Sequence, residues 1–285
     1  MESSNERFLH IVEEIQNAVN DCFQYAGRNN PNAFGLFLAK ACWHGEPINQ
    51  YLFDYMGYDY QDETRNNFYV QHMQMYYPTK IYDYSEEDNK GIYNLQIEML
   101  IYSQLWESQP LLYKLASLAN ICSGASYDWK LVVPDSKLFT YINEQIIAHL
   151  KDEGLKLGEI IEQCYNSNFR NALAHGLYSI DRDKHTIRLY NRDAIKTGKT
   201  TFTFYEFQSM FLHAVLLDNM IYKLLNEYRK KFAEENMQMP PFPISDEDNR
   251  LMMVSAKQNP ETKRVRFEGK IIGNEVVEYA QYCIK

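Results

Sequence analysis

A chain of 285 residues is long enough to bury a sizeable core, as one large domain or two small ones. With 45% apolar and 24% charged residues, its composition excludes wholesale disorder. A formal charge of −9 at pH 7 excludes a generally basic surface, so contact with a polyanion needs a local cationic strip.

No apolar run approaches the roughly 18 residues that a membrane-spanning helix needs. The opening stretch from Met1 to Arg7 lacks the basic flank and apolar core of a secretion signal. These features predict a cytoplasmic protein with no membrane partner. Cys22, Cys42, Cys122, Cys164 and Cys283 are scattered, with no Cys-x-x-Cys pair and no histidine at zinc-ligand spacing, and are expected to be free, mostly buried thiols.

Residues 5–26 place Phe8, Ile11, Val12, Ile15, Val19 and Cys22 at steps of three and four, the period of an amphipathic helix. From Asn29 to Tyr84 the pattern weakens. Asn29-Asn30-Pro31 breaks the chain, short helical pieces follow, and tyrosines crowd at positions 51, 55, 58, 60, 69, 76, 77, 82 and 84. Such a cluster either packs a core or offers rings to bases and partner grooves.

Ile92, Leu95, Met99, Tyr102 and Trp106 give the clearest helical alternation, and Pro110 after Ser108 kinks or restarts the helix before Leu111 to Cys122 carry it on. Pro134-Asp135-Ser136 opens another helix with Leu138, Phe139, Ile142, Ile146 and Leu150 inside, closed by Gly154. A further helix is expected to run from Leu155 through Ile160, Ile161, Cys164, Phe169 and Arg170 into His175, stopping at Gly176. The period then changes to two. Tyr178-Ser179-Ile180 and Thr186 to Tyr190 flank Asp181-Arg182-Asp183-Lys184 as a small hairpin.

Thr203 can cap a long helix with Phe207, Met210, Phe211, Ala214, Leu217, Ile221, Leu224 and Leu225 as its inner stripe, ending in Arg229-Lys230-Lys231. Met239-Pro240-Pro241-Phe242-Pro243 cannot continue a helix and marks a boundary. Beyond it, residues 264–272 and 275–283 read as two short strands around Gly273-Asn274. The predicted organisation is mainly α: a tyrosine-rich helical region over residues 1–89, a helical bundle over 90–235 with a small β-hairpin, and a β-containing appendage over 236–285.

The residues with chemistry are concentrated in Phe169-Arg170-Asn171-Ala172-Leu173-Ala174-His175. Asn171 and His175 are four apart and share a helix face, whereas Arg170 and His175 are five apart, about 140° around and roughly 7.5 Å along the axis. One such helix is poorly arranged to put both groups on one phosphate. A second copy facing it across a homodimer, admitted by the small Ala172 and Ala174, removes that difficulty. Cleavage of RNA without metal needs a base for the 2′-hydroxyl proton, an acid for the departing 5′-oxygen and positive charge on the phosphorane. Histidine and arginine are suited to those tasks.

The string Arg170-Asn171-Ala-Leu-Ala-His175 resembles the Arg-x(4–6)-His motif of the HEPN family, and the helices from about Ile92 to Phe232 resemble a HEPN bundle covering about half the chain. The resemblance implies a metal-independent, typically dimeric endoribonuclease with Arg170, Asn171 and His175 as catalytic residues, no cofactor, and a 2′,3′-cyclic phosphate product. It also implies a setting as a toxin of a toxin–antitoxin pair or an antiphage effector, with an antitoxin or regulatory protein as partner. In one toxin subgroup a tyrosine two residues after the histidine is modified by a partner nucleotidyltransferase. Leu177 stands there instead, with Tyr178 one place further on.

The RNA is expected to lie on the strip downstream, where Arg182, Lys184, Arg188, Arg192, Lys196 and Lys199 stand against Asp183 and Asp193. Arg182, Lys184, Arg188 and Arg192 are the candidate RNA-binding residues. Taken alone the strip also reads as a solvated hairpin. Arg170 and His175 also fit the plain role of solvating a helix end, with His175 favoured by the negative end of the dipole. Two other functions fit: a HEPN module that binds nucleotide or RNA without cutting, and a helical interaction scaffold.

Thr197-Gly198-Lys199-Thr200 mimics a phosphate-binding loop, but Asp193 stands where the first glycine belongs. No metal site is expected from His10, His44, His72, His149, His185 or His213, which share no helix face in pairs. Glu86-Glu87-Asp88 and Asp246-Glu247-Asp248 read as solvated loop charge.

Overall fold

A computed structural model describes residues 4–43, 51–53, 58–77, 89–234, 242–245, 248–258, 261, 265–272 and 277–280. The protein is mainly helical, with three small antiparallel sheets among these residues. Helix α1 (Ser4–Asn29) buries Ile11, Ile15, Val19, Cys22 and Phe23, the stripe its spacing predicts. Asn30 then caps α2 (Pro31–Ala39), its side chain accepting from the Ala33 amide at 3.2 Å while Pro31 fills a first-turn position that needs no donor. Lys40, in the left-handed conformation at φ 49°, ends α2 and leads into β1 (Ala41–Trp43), which pairs with β2 (Tyr51–Phe53).

Helix α3 (Tyr58–Tyr76) follows. Tyr69 and Tyr77 are buried, so for these two the core alternative holds, while Tyr55, Tyr82, Tyr84 and the acidic run Glu86-Glu87-Asp88 lie outside the described residues. Helix α4 (Asn89–Trp106) stops at Glu107, and α5 (Gln109–Cys122) starts afresh because the Ser108 hydroxyl accepts from the Leu111 amide at 3.3 Å. Pro110 therefore restarts the helix. Helix α6 (Leu138–Tyr141) passes through a π-helical stretch, Ile142–Ile147, into α7 (Ala148–Asp152).

The single helix expected over 155–175 is two. Helix α8 (Lys156–Cys164) and α9 (Ser167–Ala174) are separated by extended Tyr165 and Asn166. The Asn166 side chain caps α9 by accepting from the Phe169 amide at 2.9 Å. The Tyr102 hydroxyl stitches the break, donating to the Cys164 carbonyl at 2.8 Å and accepting from the Asn166 amide at 3.0 Å.

The expected hairpin forms as β3 (Tyr178–Asp181) and β4 (Thr186–Leu189), with Tyr178 opposite Leu189. After α10 (Arg192–Thr197), a strand not foreseen, β5 (Thr201–Thr203), joins the far edge of β4. Thr203 and Glu206 then cap α11 (Phe204–Glu234) reciprocally: the Thr203 hydroxyl accepts from the Glu206 amide at 3.1 Å, and the Glu206 carboxylate accepts from the Thr203 amide at 2.7 Å.

Helix α11 is the spine of the molecule, packing against α1, α3, α4 and α8. Its basic end is not simply solvated, because Arg229 is buried and donates to the Leu38 carbonyl. The appendage is a four-stranded sheet in the order β6 (Phe242–Ser245), β7 (Asp248–Gln258), β8 (Val265–Ile272), β9 (Val277–Ala280). β8 and β9 match the two runs read from sequence. β7 packs on α11, and Phe267 of β8 meets Phe232 at 5.8 Å. Cys22, Cys122 and Cys164 are buried free thiols, the first two in contact at 3.6 Å, while Cys283 lies outside the described residues.

One feature of the core has no counterpart in the apolar pattern. Asp62 of α3 is buried among Lys40, at 3.2 Å, Lys114, at 3.0 Å, and Arg65, at 2.6 Å. Lys114 also faces buried Asp218 of α11 at 3.7 Å. Burial pushes both carboxyls up. For Asp62 the attraction of Lys114, Lys40 and Arg65 outweighs it and holds the group below the ordinary carboxylate range. For Asp218 burial prevails over Lys114 and Arg65, and the group sits above that range.

Candidate functional site

Helix α9 is anchored by Phe169, fully buried against Phe202 at 5.0 Å, Phe207 at 5.2 Å and Tyr102 at 5.8 Å. That anchor fixes where the next residues point. Arg170 turns inward and is only 9% exposed, its Nη1 paired with the Glu107 carboxylate from the α4–α5 turn. Asn171 is half-buried, and its carbonyl accepts from the His175 amide at 3.1 Å. His175 ends the helix at φ −103°, exposed to solvent, and its imidazole makes no hydrogen bond or ion pair among the described residues. Gly176 follows at φ +64°, a left-handed position that glycine takes without strain.

The six-residue string is thus divided between two surroundings. Arg170 lies in a recess and His175 lies at the surface, and no hydrogen bond joins them within the chain. Trp106, the chain neighbour of Glu107, packs its ring on that of Tyr165 at 5.0 Å. Trp106 Nε1, the Tyr165 hydroxyl and Arg170 Nε are all buried with no hydrogen-bond partner among the described residues. Burial raises the Tyr165 pKa, with Arg170 opposing and Glu107 adding to the shift, so the phenol feels both members of the ion pair. Sequence reading missed Trp106, Glu107 and Tyr165 as site residues. The only signal was that polar atoms interrupt an apolar stripe at Trp106-Glu107.

The four basic candidates do not converge on one spot. Arg182 and Lys184 occupy the hairpin turn, with Lys184 paired to Asp181 at 3.2 Å. They sit four to five residues, or roughly 13–17 Å, from the end of the hairpin nearest His175. Lys196 and Lys199 of the same strip pair with Asp193 and Glu206, so much of its charge is neutralised locally. Arg188 lies opposite Ser179 on the outer face of β4, its guanidinium 5.5 Å from the Tyr190 ring centroid. Arg192 begins α10 and is exposed.

Tyr190, which sequence reading passed over, is 48% exposed. Its amide donates to the Leu177 carbonyl at 2.9 Å, which registers it two residues from His175. Its hydroxyl contacts Ser179 Oγ at 2.9 Å. An oriented, exposed ring backed by a guanidinium is a surface on which a flat ring can stack.

Elsewhere, an open cleft of about 390 Å³ lies between α3 and α11, lined by Asn66, Asn219, Tyr222, Lys223 and Asn226 among others. It is some twelve residues, roughly 18 Å, along α11 from Phe207 and the α9 anchor. Among the described residues no helix is long and apolar enough to cross a membrane, and no three His, Cys, Asp or Glu side chains are grouped to hold a metal ion. Comparison of the chain with protein-family models, curated proteins and solved structures finds no match.

Proposed function

We propose that this chain is a metal-independent endoribonuclease of HEPN type, working as a homodimer and cutting RNA to a 2′,3′-cyclic phosphate and a 5′-hydroxyl. The observation that carries the reading is the division of labour on α9: an exposed, unpartnered imidazole at the solvent end of the helix, and a guanidinium one turn below it in a recess with donors to spare. One His175 takes the 2′-hydroxyl proton, the 2′-oxygen forms a bond to phosphorus, and the P–O5′ bond breaks as a second imidazole protonates the leaving oxygen. The second imidazole comes from the other subunit. Arg170 holds the phosphate oxygens, Asn171 orients the imidazole or the scissile group, and Arg188, Arg192, Arg182 and Lys184 draw the strand across the hairpin.

Incubation of the purified protein with RNA in EDTA tests this. Wild type is expected to produce fragments, with His175→Ala and Arg170→Ala reduced at least about a hundredfold, the scale of a lost general acid–base group. Intact RNA with folded, dimeric wild type would overturn the reading. Such an activity suits a toxin or antiphage effector restrained by an antitoxin or regulatory protein, and growth arrest on expression, relieved by His175→Ala, is the corresponding check.

A second reading has one observation in its favour. The Arg170–Glu107 pair occupies the guanidinium, as it would in a module that binds nucleotide or RNA without cutting it. That module predicts binding weakened by Arg170→Ala and no products.

A further inference from the structure

The α4–α5 turn brings a single carboxylate to a place that otherwise offers donors. Trp106 N–H, Tyr165 O–H and Arg170 Nε–H are all buried without acceptors among the described residues. Each unmet donor of this kind costs about 1–3 kcal/mol. Glu107 supplies one bond, to Arg170 Nη1, and no side-chain hydrogen bond joins it to Trp106 or Tyr165. The partners also differ in freedom: the Glu107 side chain is 45% exposed and the Arg170 side chain 11%. A half-exposed glutamate can swing into solvent with little loss, since such pairs contribute little net energy. The guanidinium, held in a buried side chain, stays.

We propose that Glu107 is an internal stand-in for a phosphate group, displaced from Arg170 when phosphate enters and is held in addition by Trp106 Nε1–H and Tyr165 O–H. This rests on the reading of Arg170 as the phosphate-holding group and extends it: Glu107 becomes the residue that sets how tightly phosphate binds. Two anions on one guanidinium exclude each other by charge, so carboxylate and phosphate compete directly. A tetrahedral anion with three or four accepting oxygens can meet several donors at once, whereas a carboxylate tethered at Glu107 satisfies one.

The test is titration of the full-length protein with inorganic phosphate and, separately, with a short all-2′-deoxy oligonucleotide that cannot be cleaved through a 2′-hydroxyl. Tryptophan fluorescence and calorimetry report binding. Glu107→Gln is expected to tighten binding roughly ten- to a hundredfold, the equivalent of one competing charge-assisted hydrogen bond removed. Tyr165→Phe and Trp106→Phe are expected to weaken it, and Arg170→Ala to abolish it. Tightening for both probes identifies the phosphate group itself as the ligand, and tightening for the oligonucleotide alone identifies a backbone diester.

Glu107→Asp, which keeps the charge on a shorter arm, covers the case in which the glutamine variant does not fold, and is expected to fall between. Unchanged affinity in both Glu107 variants, with thermal unfolding showing them folded, overturns the proposal. RNA cutting that depends on His175 while Glu107→Gln changes neither phosphate affinity nor KM removes this inference and leaves the nuclease. Tighter phosphate binding with RNA left intact removes the nuclease and leaves this inference.

Discussion

Two places in this molecule bury charge, and they do so differently. Around Asp62, cations meet carboxylates: Lys40, Arg65 and Lys114 converge on Asp62, and Lys114 also faces Asp218. The atoms left without hydrogen bonds there are of both kinds, the Asp218 Oδ1 acceptor and the Arg65 Nε and Tyr69 hydroxyl donors. Around Arg170 each unmet atom among the described residues carries a donor hydrogen, on Trp106, Tyr165 and Arg170 itself, and the Glu107 carboxylate is half in solvent. A balanced cluster closes on itself and ties α2, α3, α5 and α11 together. A one-sided cluster is what the proposed phosphate would complete. Burial of charge alone therefore does not mark a functional site, and it is the excess of unmatched donors on which the proposed phosphate site rests.

The largest effect that sharpens this contrast is expected at the balanced cluster. Asp62→Asn removes the carboxylate shared by buried Lys40 and Lys114, and loss of one partner from a buried ion pair costs about 3–5 kcal/mol. Urea unfolding measures it, and a loss under about 1 kcal/mol would mean the cluster is not structural.

A smaller loss, about 1–2 kcal/mol for the two hydrogen bonds involved, is expected for Tyr102→Phe, which removes the hydroxyl joining the Cys164 carbonyl to the Asn166 amide at the α8–α9 break. If α8 and α9 hold their angle without it, amide exchange in α9 will match wild type.

The two carboxyls of the balanced cluster also respond to pH in opposite senses. The Asp62 group is held below its unfolded value, so the stability it contributes is present above the ordinary carboxylate range and is lost as pH falls through its folded pKa. The Asp218 group is raised, so its contribution is full below the ordinary range and is lost as pH rises through its folded pKa. Asp218→Asn, neutral throughout, should gain on wild type as pH rises from about 4, the ordinary aspartate value. A difference in urea midpoint that stays constant with pH contradicts that assignment.

The smallest stability change belongs to the one-sided cluster. Tyr165→Phe deletes a hydroxyl with no partner among the described residues, so it should leave the fold at least as stable as wild type, by up to about 1 kcal/mol, while weakening phosphate binding. A large destabilisation would show that the hydroxyl serves the fold.

Much of the helical framework was legible in sequence because burial writes a period. The stripes of α1, α4 and α11, the hairpin around residues 181–184, and the Thr203 cap all follow from local spacing or local chemistry. The α8–α9 break was not, because the apolar stripe from Ile160 to Phe169 continues across it. What interrupts the helix is the Asn166 side chain, helped by Tyr102, more than sixty residues earlier in the chain. β5 is three residues long, and its alternation is too short to register.

The site was readable only in part. Arg170, Asn171 and His175 stand together in the string, but Glu107 is 63 residues from Arg170, and nothing local to either predicts their pairing. Tyr190 was hidden in another way. It ends an ordinary strand, and only the 2.9 Å bond from its amide to the Leu177 carbonyl brings it beside His175.

In the proposed reaction the imidazole of His175 activates a ribose hydroxyl next to a phosphate held by Arg170. The most direct measurement is end-group analysis of a defined RNA in EDTA, with one 2′-O-methyl nucleotide placed at the preferred cleavage position. The unmodified strand is expected to give 2′,3′-cyclic phosphate ends, with no cutting at the methylated position. Cutting there, or products bearing 5′-phosphates, would contradict it.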